Sequence, residues 1–171
     1  MAIKVLFETL LTDIKDTDVE GVGILRYDDN GNVYRWVKNR DSAVMVQHEA
    51  SCYDVSNADG TGDVFQSVND PVTADLMLAA GINMAAAEIS GGKCFFWVQV
   101  LGIHQNALVL DISGSAVAVG DELNCANGVG TITRVIAVGT APIRFNTFFA
   151  LETSSGDTGA TVAKDVLVRC L

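Results

Sequence analysis

The chain has 171 residues, 49% of them hydrophobic, with 2 prolines, 16 glycines and a formal charge of −10 from 21 acidic and 11 basic residues. A chain of this length and apolar content buries a real core without disulfides, which excludes a disordered or low-complexity protein. The acidic surplus leaves no basic surface to displace counterions from a phosphate backbone, so it argues against nucleic acid as a partner and suits a surface facing water or a basic partner.

Residues 1–20 mix apolar and acidic positions without turn residues. Leu6, Leu10 and Ile14 recur at helical spacing with Phe7 and Leu11 beside them. The pattern fits a short amphipathic helix, an arm that orders on a partner, or a plain solvated terminus. The apolar pairs here are interrupted by Glu8 and Asp13, and no run approaches the roughly 20 residues of a membrane span. No signal peptide or membrane partner is therefore expected, and synthesis in the cytoplasm is.

Residues 21–27 and 33–38 read as two strands joined by Asp28, Asp29, Asn30, Gly31 and Asn32, whose Asn-Gly step supplies the positive φ of a tight hairpin. Tyr34 and Trp36 share one face of the second strand; Val33, Arg35 and Val37 share the other. The aspartate-rich loop lacks the alternating ligands and closing glutamate of a calcium loop, so turn chemistry is the better reading. Between residues 39 and 70, Ala43–Val46 and Cys52–Val55 are candidate short strands. Asp59-Gly60-Thr61-Gly62-Asp63 has neither the lysine nor the spacing of a phosphate loop and reads as an exposed loop.

After Pro71, residues 72–80 and 82–89 are rich in alanine, leucine and methionine, which favours helix, with Gly81 as a break. The same alternation with small residues suits tightly packed strands. Residues 91–102 are clearer: a glycine pair, then Phe95, Phe96, Trp97, Val98, Gln99 and Val100, then Gly102, describe a strand bounded by turns. Phe96, Val98 and Val100 lie on one face and Phe95, Trp97 and Gln99 on the other, so both faces are largely apolar and the strand is central, or covered by a partner.

Downstream, strands are expected at 107–110, 116–119, 130–138, 147–151, 160–162 and 166–169, with turns at Gly114, Gly120-Asp121, Gly128, Gly139 and Gly156-Asp157. Many short strands with glycine punctuation predict an all-β protein. Its C-terminal half, residues 71–171, is read as a small barrel or sandwich. An N-terminal arm (1–20) and a β-hairpin region (21–70) precede it, with at most one short helix in the whole.

Cys52, Cys94, Cys125 and Cys170 stand far apart and are expected to be free buried thiols. His48 and His104 belong to no ligand cluster, so neither a metal nor a cofactor is expected. The carboxylate pairs Asp54/Asp63 and Asp121/Glu122, and His104 after the central strand, show no spacing that converges on a cleft. Neither a Ser-His-Asp order nor a GxSxG elbow is present. No catalytic residue is assigned, and an enzyme is not expected.

The run Cys94–Gly102, followed by Ala118-Val119-Gly120-Asp121-Glu122-Leu123, by Ala150-Leu151-Glu152 and by Val166-Leu167-Val168-Arg169, resembles the C-terminal region of bacteriophage head decoration, or cement, proteins. The segment from Gly23 to Val37 is similar to one common in small phage structural proteins. The chain departs from the pattern at Phe148-Phe149 and at Phe96, where the family carries glycine. The resemblance covers about half the chain and rests on strand and turn geometry.

That resemblance implies a protein made in the infected bacterium that binds the outside of the capsid and staples major capsid protein subunits. It also implies a homo-oligomer, with a trimer favoured over a dimer on capsid symmetry. The candidate capsid or subunit contacts are Leu6, Phe7, Leu10, Tyr34, Trp36, Phe95 and Trp97, because aromatics are enriched at interfaces and arms can order on binding. Core packing is the competing reading for Tyr34 and Trp36. A phage tail or receptor-binding protein that holds carbohydrate is the alternative function.

Overall fold

The computed structural model describes residues 7–40, 44–54, 67–69, 78–88, 92–111, 116–126, 130–134, 147–154 and 160–170. Ten strands follow one another: β1 (Leu25–Tyr27), β2 (Val33–Asn39), β3 (Ala50–Tyr53), β4 (Ser67–Asn69), β5 (Ala79–Asn83), β6 (Phe95–Leu110), β7 (Glu122–Cys125), β8 (Ile132–Arg134), β9 (Thr147–Ala150) and β10 (Thr161–Arg169). The described residues contain no helix, and the protein is all-β as the glycine-punctuated pattern predicts.

β6 organises the rest. Its first half pairs with β2 through Phe95–Leu101 and with β5 through Val98 and Gln99, so β2, β4, β3, β5 and β6 close into a five-stranded barrel. Its second half pairs with β10 through Leu101–Leu110 and with β8 through Val109 and Leu110. The strands β6, β10, β9, β7 and β8 thus complete a second closed circuit. One strand of 16 residues serves both.

The side-chain alternation along β6 matches its reading from sequence. Phe96, Val98 and Val100 point into the barrel with Val33, Val37, Tyr53, Val68 and Ala80. Trp97 lies on the outer face opposite its cross-strand partner Trp36. Ala107 and Val109 enter the second core with Leu123, Ile132, Phe148, Val166 and Val168. Ala50, Cys52, Ala79 and Ile82, on the outer face of β3 and β5, join that second core and weld it to the barrel. All four cysteines are buried thiols outside any disulfide.

Several expectations are corrected. Gly102 does not end the central strand: it sits within β6 at φ 104, and the Asn32 carboxamide lies where a side chain would begin, with Oδ1 2.1 Å from the site of a Cβ. The strand bends there and continues for eight more residues, to Leu110. Within the alanine-rich stretch Ala79–Asn83 form strand β5, where the packed-strand alternative wins over helix propensity through pairing with β3 and β6. Gly81 is its bulge, at φ 144 with the Gln99 carbonyl oxygen 2.1 Å from where a Cβ would sit. Residues 116–118 belong to no strand and 119–120 form a turn, and the two expected C-terminal strands are one, β10, with an irregularity between Lys164 and Val166. β2 and β6, on either side of residues 70/71, pair directly. Pro71, residues 72–77 and the Asp59–Asp63 loop lie outside the described residues.

Candidate functional site

The hairpin from Tyr27 to Val33 forms as its sequence implies, with Gly31 at φ 82. The Asp28 carboxylate is the turn's acceptor: Oδ1 takes the N–H groups of Asn30 and Asn32, each at 2.9 Å, and Oδ2 takes the Asn32 amide at 2.8 Å and the Tyr34 hydroxyl at 3.1 Å. Burial pushes the Asp28 carboxyl up, but the hydrogen bonds from Asn32, Tyr34 and Asn30 outweigh it and hold it below its usual range. Burial, with the Asp28 carboxylate beside it, pushes Tyr34 up to about 12. The aspartate that suggested a cation loop is committed to its own turn.

From this turn a polar chain runs into the bend of β6. Asn32 Oδ1 accepts the Ile103 N–H at 3.1 Å and Gln99 Nε2 at 3.4 Å. Gln99 is buried, and its Nε2 also donates to the carbonyls of Leu101 (3.3 Å) and Ile103 (3.0 Å). Those acceptors fix the amide's orientation, so Gln99 Oε1 must accept from His104 Nδ1 at 2.7 Å. His104 is buried too, and burial followed by the neighbouring His48 lowers it to about 4, so the ring is neutral at pH 7. Its Nε2 is therefore a lone pair that accepts the Nδ1–H of His48, 3.0 Å away.

His48 is clamped by its own backbone as well. Its N–H bonds the Asn83 carbonyl of β5 at 2.9 Å and its carbonyl accepts the Leu108 N–H of β6 at 3.0 Å. The residue takes a left-handed conformation, φ 70, to make both bonds. Around the two imidazoles opens a cavity of about 600 Å³, lined by Asp28, Asn30, Asn32, Tyr34, His48 and Met84, and by Gln99 and residues 102–106 of β6. No family model, curated protein or solved structure matches the chain.

Of the seven residues proposed as contacts from sequence, Tyr34 lines this cavity, and Phe7, Trp36, Phe95 and Trp97 group on the face beside it. Trp36 and Trp97 are fully buried and Tyr34 nearly so. Trp97 packs edge-on to Trp36, ring centroids 5.2 Å apart, and to Phe7 at 5.5 Å. The chain's own N-terminal segment covers this face: Phe7, Leu11, Val19 and Val22 pack on it. Trp97 Nε1 donates to the Thr9 hydroxyl and Trp36 Nε1 to Asp18, both at 2.9 Å. Lys15 bridges to Phe95 by two backbone bonds.

Residues 7–20 are thus neither a helix nor an open arm: Glu20 takes the Thr9 N–H, Asp13 the Leu10 N–H, and Asp18 the N–H groups of Gly21 and Val22. Phe7 and Phe95 are half-buried, with the Lys38 ammonium 5.6 Å from the Phe95 ring centre. Leu10 is exposed and Leu6 lies outside the described residues.

Sequence reasoning kept the two histidines apart, and the fold brings them together across 56 positions. The sequence signal that could have led to them is Gln99, a polar residue within the apolar run from Phe95 to Leu101. Among the described residues no group of three or more histidine, cysteine or carboxylate side chains forms a metal cluster.

Proposed function

We propose that the chain is a phage virion structural protein that binds the outer capsid surface and holds neighbouring major capsid protein subunits together. The observation that carries this reading is the placement of large apolar side chains on rigid elements at separate places. Ile24 stands exposed just before β1 and Tyr27 at its end. Val119 and Leu151 stand exposed on turns joined by the Gly120 N–H to the Ala150 carbonyl at 2.8 Å. Several small sticky points on one stiff body serve a protein that touches several neighbours at once, since weak contacts made together multiply.

The closed strand circuits support the same role, because they leave few free edges for unwanted pairing. The acidic surplus keeps a surface-bound protein hydrated. The role is structural rather than catalytic, and a trimer at local three-fold positions suits it best, with a dimer next.

The test is to mix the purified protein with expanded capsids that lack it, following co-sedimentation and shell melting. Saturable binding with a raised melting temperature is expected, since a ligand that prefers the intact shell must stabilise it. Failure to bind any capsid form, or recovery of the protein with tails, overturns the reading and favours a tail or receptor-binding role.

A further inference from the structure

The cavity at the bend of β6 has features that capsid attachment does not use. Among the described residues two non-glycine residues have a left-handed backbone, His48 and Asn106 (φ 66), and both line this cavity. Gly102, the third lining residue with positive φ, bends the strand around it. Left-handed backbone at non-glycine residues costs free energy, survives only where surrounding structure holds it, and clusters where ligands are gripped.

The hydrogen-bond directions add a chemical face. Gln99 turns His104, and His104 turns His48, so that His48 donates through Nδ1 and keeps Nε2 as an uncommitted lone pair on a side chain that lines the cavity. The carboxamides of Asn30, Gln105 and Asn106 also line it and are committed to no partner. Met84 and Ile103 supply apolar surface.

What is missing from the lining decides the ligand class. Among the described residues neither lysine nor arginine lines it, so none of them compensates a phosphate or carboxylate there. The one carboxylate among the described lining residues, Asp28, already accepts four hydrogen bonds and has little capacity left for a cation. Neutral amides and one imidazole lone pair beside small apolar patches suit a neutral molecule with hydroxyls on its rim and C–H groups on its face. The cavity's volume of about 600 Å³ lies within the usual range of small-molecule sites.

We propose that this cavity is a saccharide-binding site. His48 Nε2 and the amides of Asn30, Gln105 and Asn106 engage the sugar hydroxyls, and Met84 and Ile103 take the apolar face of the ring. The site operates whether the chain sits on a capsid or elsewhere, so the failure of either proposal leaves the other standing.

The experiment titrates the full chain, followed by ¹H–¹⁵N NMR, with D-glucose, D-galactose, L-rhamnose, N-acetylglucosamine and chitotriose, and with sodium phosphate and AMP as charged comparisons. At least one saccharide is expected to move the His48, Ile103 and Asn106 amides and the His48 Nε2 resonance saturably, with a Kd of about 1 mM or tighter. His48→Asn, which keeps a residue type tolerant of left-handed backbone, and Ile103→Asp, at a position 55% exposed, are each expected to weaken binding about tenfold. Should His48→Asn fail to fold, Ile103→Asp decides alone. The proposal is overturned if none of the saccharides shifts these signals, if the shifts map elsewhere, if phosphate or AMP binds there as well as the sugars do, or if folded variants bind like the wild type.

Discussion

Acidification tests the polar chain behind the cavity most directly. His104 titrates near its ordinary 6.5 in the unfolded chain and at about 4 when folded, lowered first by burial and then by His48. The unfolded state therefore binds the proton more readily, so stability present above pH 6.5 is lost as pH falls toward 4 and falls no further on this account below it. At about 1.4 kcal/mol for each pH unit, that gap corresponds to a loss of about 3 kcal/mol. The direction has a structural cause: a second proton on His104 would go to Nε2, which already accepts from His48.

Carboxylates also titrate in this window, so the assay compares wild type with His104→Gln, which keeps all 21 acidic residues. Urea unfolding is followed at steps from about pH 7.5 down to pH 4. The variant is expected to be less stable by about 1–3 kcal/mol at neutral pH, through lost buried hydrogen bonds. The two stability curves are then expected to converge or cross as the wild type acidifies. Curves that run parallel would refute the reasoning, as would NMR that finds the His104 proton on Nε2 rather than on Nδ1.

Gly81→Ala would drive a methyl group into the Gln99 carbonyl on a neighbouring strand at φ 144, where backbone must move on both sides. A loss of about 3 kcal/mol or more in urea unfolding is expected. Ser154→Ala removes the hydroxyl that donates to the buried Asp111 carboxylate at 2.7 Å and accepts the Val117 N–H at 3.0 Å. It is expected to cost about 1–3 kcal/mol, with the turn at residues 117–120 losing amide-exchange protection. Phe7→Ala uncovers one edge of Trp97 and is expected to red-shift tryptophan emission and admit acrylamide, at a stability cost of about 1–2 kcal/mol. An emission spectrum unchanged by that substitution would contradict the packing of the N-terminal segment on this face.

What was legible in the sequence was what local chemistry determines. The Asn30-Gly31 step and the alternation around it set the hairpin and the faces of β2. The aromatic and β-branched run after Cys94 set the first half of β6 and the two environments of its side chains. Illegible features each depended on a partner far along the chain. Gly102 reads as a strand end because its reason for being glycine is Asn32, about seventy residues earlier. Gly81 reads as a helix break because the Gln99 carbonyl that excludes a side chain lies on another strand. Tyr34, Trp36 and Trp97 read either as core or as a face awaiting a partner, and what covers them is the chain's own segment around Phe7, Thr9 and Asp18. Periodicity identifies an apolar face but carries no information about what covers it.

The position of the cavity follows from the same bend. Gln99 belongs to the part of β6 that faces β2 and β5, whereas His104 belongs to the part that faces β10. Their 2.7 Å hydrogen bond therefore ties the barrel to the second circuit across Gly102. His48 ties them again, its backbone bonded to β5 through Asn83 and to the far half of β6 through Leu108. A molecule held by His48 would rest on the elements that fix how the two strand circuits meet, and binding there would stiffen the junction. Amide exchange at Leu108 and Ile103 is then expected to slow when the cavity is filled. Slowing confined to the hairpin turn would mean that the ligand touches the rim without engaging the junction.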